Sequence, residues 1–201
     1  MTAVIVTRPV PKNVKAILGR LKPDTVIAVD GAVKVLVDAG IGVDLAVGDF
    51  DSLDDQSVLD GIRTDRLSPE KDITDTARAI KDACQMDAER IVLVGGLMGQ
   101  RADHFLANMT LFDVCPDLVI MDETNTIRML RHGAHQVTWK GHVSVFPYPE
   151  AVVTLKGFKY PLTAYRLKPF DALGVSNALL GDEATVVVLE GRIILVESEE
   201  K

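Results

Sequence analysis

Cysteine is scarce in this chain: Cys84 and Cys115 are the only two in 201 residues, and they lie far apart with no Cys-x-x-Cys pair. That excludes a disulfide framework and a zinc ribbon, and makes a reducing cytoplasm the expected compartment. Positive charge is also in deficit, with 22 Lys and Arg against 29 Asp and Glu and a formal net charge of -7. Binding to a nucleic-acid backbone rests on a dense basic surface that displaces counterions, so no nucleic-acid partner is expected. Long apolar runs are missing near the N-terminus, where Ala3-Val4-Ile5-Val6 gives way to Arg8 and Pro9. Such a run is too short for a signal-peptide core or a membrane span, and no membrane partner is expected. There is no nucleophile elbow, no Walker Gly-Lys-Ser/Thr loop and no dinucleotide Gly-x-Gly-x-x-Gly. His132, His135 and His142 are close in sequence, but no Cys or carboxylate completes a zinc set with them.

What the chain does have is enough apolar character, 47% hydrophobic residues, to bury a core. Ala3 to Val6, Val26 to Val29, Leu45 to Val47, Ile91 to Val94 and Leu118 to Met121 are apolar at successive positions, as strands buried on both faces must be. Between them, Lys12 to Leu21, Ala32 to Ala39, Thr76 to Cys84 and Phe105 to Val114 carry apolar residues at three- and four-residue spacing. Pro11 and Gly40 stand where a helix start and stop would want them. The expected fold class is α/β, a mostly parallel sheet flanked by helices. After Asp122 the texture changes to Gln136 to Trp139, Val143 to Phe146, Val152 to Leu155, Ala184 to Leu189 and Ile193 to Val196, separated by Gly, Pro and Asn. These read as strands of a small antiparallel domain. The expected division is residues 1–123 and 124–201.

Three acidic clusters stand at the ends of these elements. Gly48-Asp49-Phe50-Asp51-Ser52 follows a strand, Lys71-Asp72-Ile73-Thr74-Asp75 opens a helix, and Gly99-Gln100-Arg101-Ala102-Asp103-His104 follows another strand and its Gly95-Gly96 turn. Ligands of open parallel sheets bind outside the carboxyl ends of the strands, where Asp30 and Asp49 also fall. Asp49 and Asp51 could hold Mg²⁺, a hard cation that takes carboxylate and phosphate oxygens, or could belong to a solvated turn. Asp75 could be a third ligand, or could cap the helix together with Thr74. The glycines could let phosphate approach backbone N–H groups, with Arg101 supplying a planar fork and Asp103 orienting Arg101, a water or the metal. The bland alternative is a βα loop with a surface ion pair.

Taken together, Val29-Asp30-Gly31, Gly48-Asp49-Phe50-Asp51-Ser52, Lys71-Asp72-Ile73-Thr74-Asp75, Gly99 to His104 with Asn108, and Gly174-Val175-Ser176-Asn177 make the chain resemble the thiamine pyrophosphokinase family over nearly its whole length. The resemblance implies an N-terminal α/β catalytic domain that binds nucleotide and metal, and a C-terminal β-sandwich that binds thiamine. It implies transfer of the pyrophosphoryl group of ATP to the hydroxyl of thiamine, with Mg²⁺ as cofactor and a homodimer whose sites lie between subunits. Asp49, Asp51 and Asp75 would hold the metal, and Arg101 and Asp103 would serve the reacting phosphates. Asp30, Gly31, Gly95, His104 and Asn108 would surround the nucleotide, and Lys71, Ser176 and Asn177 would meet thiamine. Ala32 and Gln100 replace residues more often Gly in the family, and Trp139 lies far from Ser176-Asn177, leaving Phe158, Tyr160 and Tyr165 as aromatic candidates for stacking or packing. A hydroxymethylpterin acceptor and a non-catalytic thiamine or nucleotide sensor are the competing readings.

Overall fold

The apolar runs of the first half become β1 (Thr2–Val6), β2 (Thr25–Val29), β3 (Leu45–Gly48), β5 (Arg90–Val94) and β6 (Val119–Met121), with β4 (Arg63–Arg66) added at the edge. The computed structural model describes residues 1–68, 72–97, 99, 101–169 and 171–200. The chain divides into two units, Met1–Glu123 and Thr124–Lys201.

In the first unit every strand pair is parallel, in the order β6-β5-β1-β2-β3-β4. Ala3, Val4, Ile5 and Val6 are all fully buried, because helices cover both faces of a sheet joined by crossovers. Those helices are α1 (Val14–Leu21), α2 (Ala32–Asp38), α3 (Asp75–Gln85) and α4 (Ala102–Thr110). Each of the first three turns a three-to-four-spaced stripe inward: Val14, Ile17 and Leu18; Ala32, Val33 and Leu36; Thr76, Ala79, Ile80 and Ala83. The helix expected over Lys12 to Leu21 begins at Val14, whose N–H donates to Pro11 O. That expected over Phe105 to Val114 begins at Ala102 and gives way to a 3-10 turn at Leu111–Asp113. Strand β4, with the sequence Arg-Thr-Asp-Arg, carries no apolar run because it pairs on one side and faces solvent.

The chain order places β2, β3 and β4 on one side of β1, and β5 and β6 on the other. The loops after β1 and β5 therefore leave neighbouring strands in opposite directions, opening a crevice at the carboxyl edge. Gly95 and Gly96 hold the rear of this crevice. A Cβ at Gly95 would lie 2.3 Å from Thr7 O, and one at Gly96 would lie 2.5 Å from Asn108 Nδ2, so only glycine lets the two loops and α4 meet this closely.

The second unit is antiparallel throughout its described pairings: β7 (Asn125–Leu130), β8 (Gly133–Val137), β9 (Gly141–Lys156), β10 (Leu162–Leu167) and β11 (Ala184–Glu199). Strand β9 lies between β10 and β11, and β11 also pairs with β7 along its second half and β8 along its first. The expected pairs of short strands at Val143 to Phe146 with Val152 to Leu155, and at Ala184 to Leu189 with Ile193 to Val196, are two continuous strands. Register shifts at Val188/Glu190 and Gly191/Ile193 absorb the breaking residues as bulges. Gly191 has φ +74°, and a Cβ there would lie 2.1 Å from Glu150 O. Both halves of β11 contribute to one core, through Val186 and Val188 before the bend and Ile193 and Leu195 after it.

Candidate active site

The motif after β3 owes its shape to Phe50. Its ring is fully buried and its backbone is left-handed (φ +59°), so it anchors the turn from which the Asp49 and Asp51 carboxylates converge. The edge strand braces this turn from outside. Arg66 donates from Nη1 to Asp49 O (3.3 Å) and from Nη2 to Gln56 Oε1 (2.8 Å), and Gln56 Nε2 donates to Phe50 O (2.9 Å). The Arg66 guanidinium lies 5.2 Å from the centre of the Phe50 ring.

Asp30 enters from the neighbouring strand. The register Val29↔Val47 sets it beside Gly48, where a Cβ would come 3.1 Å from Asp30 Cα. Asp30 is itself left-handed (φ +47°), an unfavourable backbone for a residue with a side chain and one that recurs at functional sites. Oxygens of Asp30, Asp49 and Asp51 all lie within 4.8 Å of one another. The repulsion is visible in Asp51, whose pKa is raised first by the charge of Asp49, then by partial desolvation and by Asp30. Ser52 Oγ donates to Asp30 Oδ2 (3.0 Å), whereas Asp30 Oδ1 is buried with no hydrogen-bond partner among the described residues. Such an orphaned carboxylate oxygen is costly unless a cation or donor meets it.

Asp30, Asp51 and Ser52 line one cleft of about 550 Å³, together with Thr7, Arg8 and Pro9 after β1, Asp75 and Thr76 at the start of α3, and Gly96, Gly99, Arg101 and His104 after β5. Thr74 caps α3, accepting from Ala77 N–H (3.1 Å), and Asp75 occupies the first turn on the cleft wall. Arg101 Nε donates to both oxygens of Asp103 (2.9 and 3.2 Å). This fork holds the Asp103 carboxyl down to about 2, so Asp103 is ionised at any working pH. Asn108 is buried, and its Nδ2 donates to Gly96 O (3.1 Å), tying α4 to the glycine turn. Gly31 starts α2, and Gly95 lies behind the cleft, its N–H donating to Met121 O (2.8 Å). Lys71 and Gln100 lie outside the described residues.

In the second unit, Asn177 is 2% exposed and is built into the scaffold. Its Oδ1 accepts from Tyr160 N (3.0 Å) and Ala178 N (3.0 Å), and its Nδ2 donates to Tyr160 O (2.7 Å). Ser176 beside it is exposed and left-handed (φ +55°). Asn177→Ala leaves several backbone groups unpaired and is expected to destabilise the second unit by about 2 kcal/mol, measured by denaturant unfolding. Of the aromatic candidates, Phe158 is buried in the core, Tyr160 is exposed, and Tyr165 Oη donates to Asp171 Oδ2 (3.1 Å). Trp139 packs on the core and donates from Nε1 to Ser198 O (2.9 Å).

Sequence reasoning placed Asp30 beside the nucleotide rather than among the carboxylates, and did not single out Arg8, Gln56, Arg66 or Thr76. The signal for Arg8 is its place two residues after β1, at the same sheet edge as Asp30 after β2.

Residues 21–117 match the family model of the thiamin pyrophosphokinase catalytic domain, and residues 125–193 that of the thiamin pyrophosphokinase vitamin B1 binding domain. The chain is 33% identical to thiamine pyrophosphokinase of Bacillus subtilis (strain 168) over 188 residues, 86% of each chain. Its fold superimposes on the crystal structure of thiamine pyrophosphokinase from Bacillus subtilis with a TM-score of 0.88 at 28% identity, covering 100% of both chains. For thiamin pyrophosphokinase from Geobacillus thermodenitrificans the TM-score is 0.86 at 29% identity, covering 100% of this chain and 99% of that one. With both of its units matched in order, the chain belongs to the thiamine pyrophosphokinase family.

Proposed function

We propose that the cleft at the carboxyl edge of the first unit binds ATP with Mg²⁺, and that the chain transfers the pyrophosphoryl group of ATP to the hydroxyl of thiamine, releasing AMP. The observation that carries this is the convergence of the Asp30, Asp49 and Asp51 carboxylates, two of which, Asp30 and Asp51, line one cleft with Arg101, in a member of this family. The residues fit a hard cation: the donors are carboxylate oxygens, and one of them, Asp30 Oδ1, is buried without a partner among the described residues. Asp49 and Asp51 would hold the metal with Asp30 in reach, and Asp75 contributes from the wall of the same cleft. Bound Mg²⁺ would neutralise charge on the phosphate oxygens.

The chain's own residues do the rest. Arg101, oriented by Asp103, presents its remaining donors to phosphate, where negative charge spreads as the thiamine oxygen attacks the β-phosphorus and AMP departs. The brace of Gln56 and Arg66 keeps Asp49 and Asp51 from separating under their mutual repulsion. Gly31, Gly95, His104 and Asn108 would shape the nucleotide side, and Ser176 and Asn177 the thiamine side, with Lys71 outside the described residues. Asn177 acts there by holding the backbone at Tyr160. A homodimer with sites at the subunit interface fits the exposed Leu173, Val175 and Leu180 around Ser176-Asn177. No helix among the described residues is long and apolar enough to cross a membrane, and the cytoplasm, with its ATP, is the compartment that suits the reaction.

The test is AMP formation from Mg·ATP with and without thiamine, with the phosphorylated product identified by mass. AMP with thiamine diphosphate supports the reading. Product from a hydroxymethylpterin and none from thiamine would move the acceptor, and binding of both ligands without AMP would make the chain a sensor.

A further inference from the structure

Among the described residues that line the cleft, Arg8 is the arginine that the proposed mechanism does not use. It is the second residue after β1, at the point where the sheet order reverses, and lines the same cleft as Arg101. Its side chain is 51% exposed. Its recorded bonds use a single nitrogen: Nη2 donates to Ser52 Oγ (3.0 Å) and, at 3.4 Å, to Asp30 Oδ2. Among the described residues neither Nε nor Nη1 has an acceptor. The guanidinium lies over the Asp30-Gly31 turn, where a Cβ on Gly31 would sit 2.7 Å from Arg8 Cζ, so the absent side chain at residue 31 makes room for it.

Two features separate this arrangement from a surface ion pair. The contact with Asp30 is long and uses one edge of a group that binds best through two parallel donors. The same aspartate belongs to the carboxylate cluster, so a cation held at its unpartnered Oδ1 draws charge from the carboxylate and weakens the contact that Arg8 makes with Oδ2. A guanidinium displaced from Asp30, half-exposed and with free donors, has the polyphosphate chain as its nearest chemical match in a cleft otherwise rich in carboxylates. Resting on the ATP reading of the cleft, we infer that Arg8 is a phosphate-binding residue for the nucleotide, which exchanges its contact with Asp30 for the polyphosphate when metal and nucleotide enter.

This exchange makes metal and nucleotide respond to Arg8 with opposite signs, which a purely structural strut would not do. The test uses the full chain, with Mn²⁺ alone followed by paramagnetic resonance, and Mg²⁺ with α,β-methylene-ATP, whose α–β linkage resists cleavage, followed by calorimetry. Arg8→Ala is expected to bind the analogue roughly tenfold more weakly, the effect of losing a charge-assisted hydrogen bond, while binding Mn²⁺ at least as tightly as the parent. Arg8→Lys, which keeps the charge and loses the fork, falls between the two for the analogue. Weakening of both ligands by Arg8→Ala would make Arg8 a strut for Asp30 and overturn the inference, as would an unchanged affinity for the analogue. Failure of the parent protein to bind the analogue would overturn the ATP reading, and the inference with it.

Discussion

Asp51→Asn is expected to lower turnover by about a thousandfold or more while leaving the protein folded, with Asp49→Asn behaving alike. Each removes a charge from the cluster proposed to hold a cation against phosphate, and neither side chain is part of the apolar core. Stability carries a second signature. The Asp51 pKa is raised, chiefly by Asp49, so the folded state favours protonated Asp51. With the unfolded chain at the ordinary carboxylate value, this repulsion opposes folding at neutral pH and is relieved as pH falls through the raised value. Asp51→Asn removes the repulsion at neutral pH. Without added metal, its thermal midpoint should therefore equal or exceed that of the parent. Near-normal turnover would take the cluster out of the mechanism, and a large fall in midpoint would make Asp51 a structural residue.

Arg101→Ala is expected to cost roughly a thousandfold in kcat, the scale seen when an arginine that stabilises a transferring phosphoryl group is removed. The loss should fall on kcat more than on the KM for thiamine if the guanidinium serves the phosphates as proposed. Arg101→Lys should recover only part of it, since an ammonium cannot reproduce the two-pronged contact now made with Asp103. Stability should scarcely move: the pair is well exposed on both sides, and such pairs contribute little. Asp103 itself, held down to about 2 by Arg101, should return toward the ordinary carboxylate range in Arg101→Ala, readable by titration of its side-chain carbon resonance. Unaltered kcat in Arg101→Ala would leave the fork as surface decoration.

The legible part of the fold was the part with continuous burial. Strands β1, β2, β3 and β5 are buried on both faces, so nearly every residue in them is apolar, and the runs stand out without any knowledge of partners. Strand β4 was invisible because an edge strand in solvent needs no apolar residue, yet it carries Arg66, which braces the turn of Asp49 to Asp51. In the second unit, turn-forming residues suggested breaks in β9 and β11 where bulges in fact carry the ladder through, since one strand cannot reveal how its neighbour accommodates an extra residue.

The candidate site divides in the same way. Asp49 and Asp51 are neighbours along the chain at a strand exit, and Arg101 with Asp103 stand two residues apart, so their pairings are local and the sequence alone determined them. The resemblance that joined these motifs is likewise a property of the sequence. Asp30 joins the carboxylates only because parallel register sets Val29 against Val47, and Arg8 reaches Ser52 and Asp30 only because β1 lies beside β2. The fixing of the Asn177 amide on Tyr160 also depends on a contact distant in sequence. Those arrangements belong to tertiary structure: hydrophobic periodicity records whether a residue is buried, whereas strand order and register decide which residues meet at the edge of the sheet.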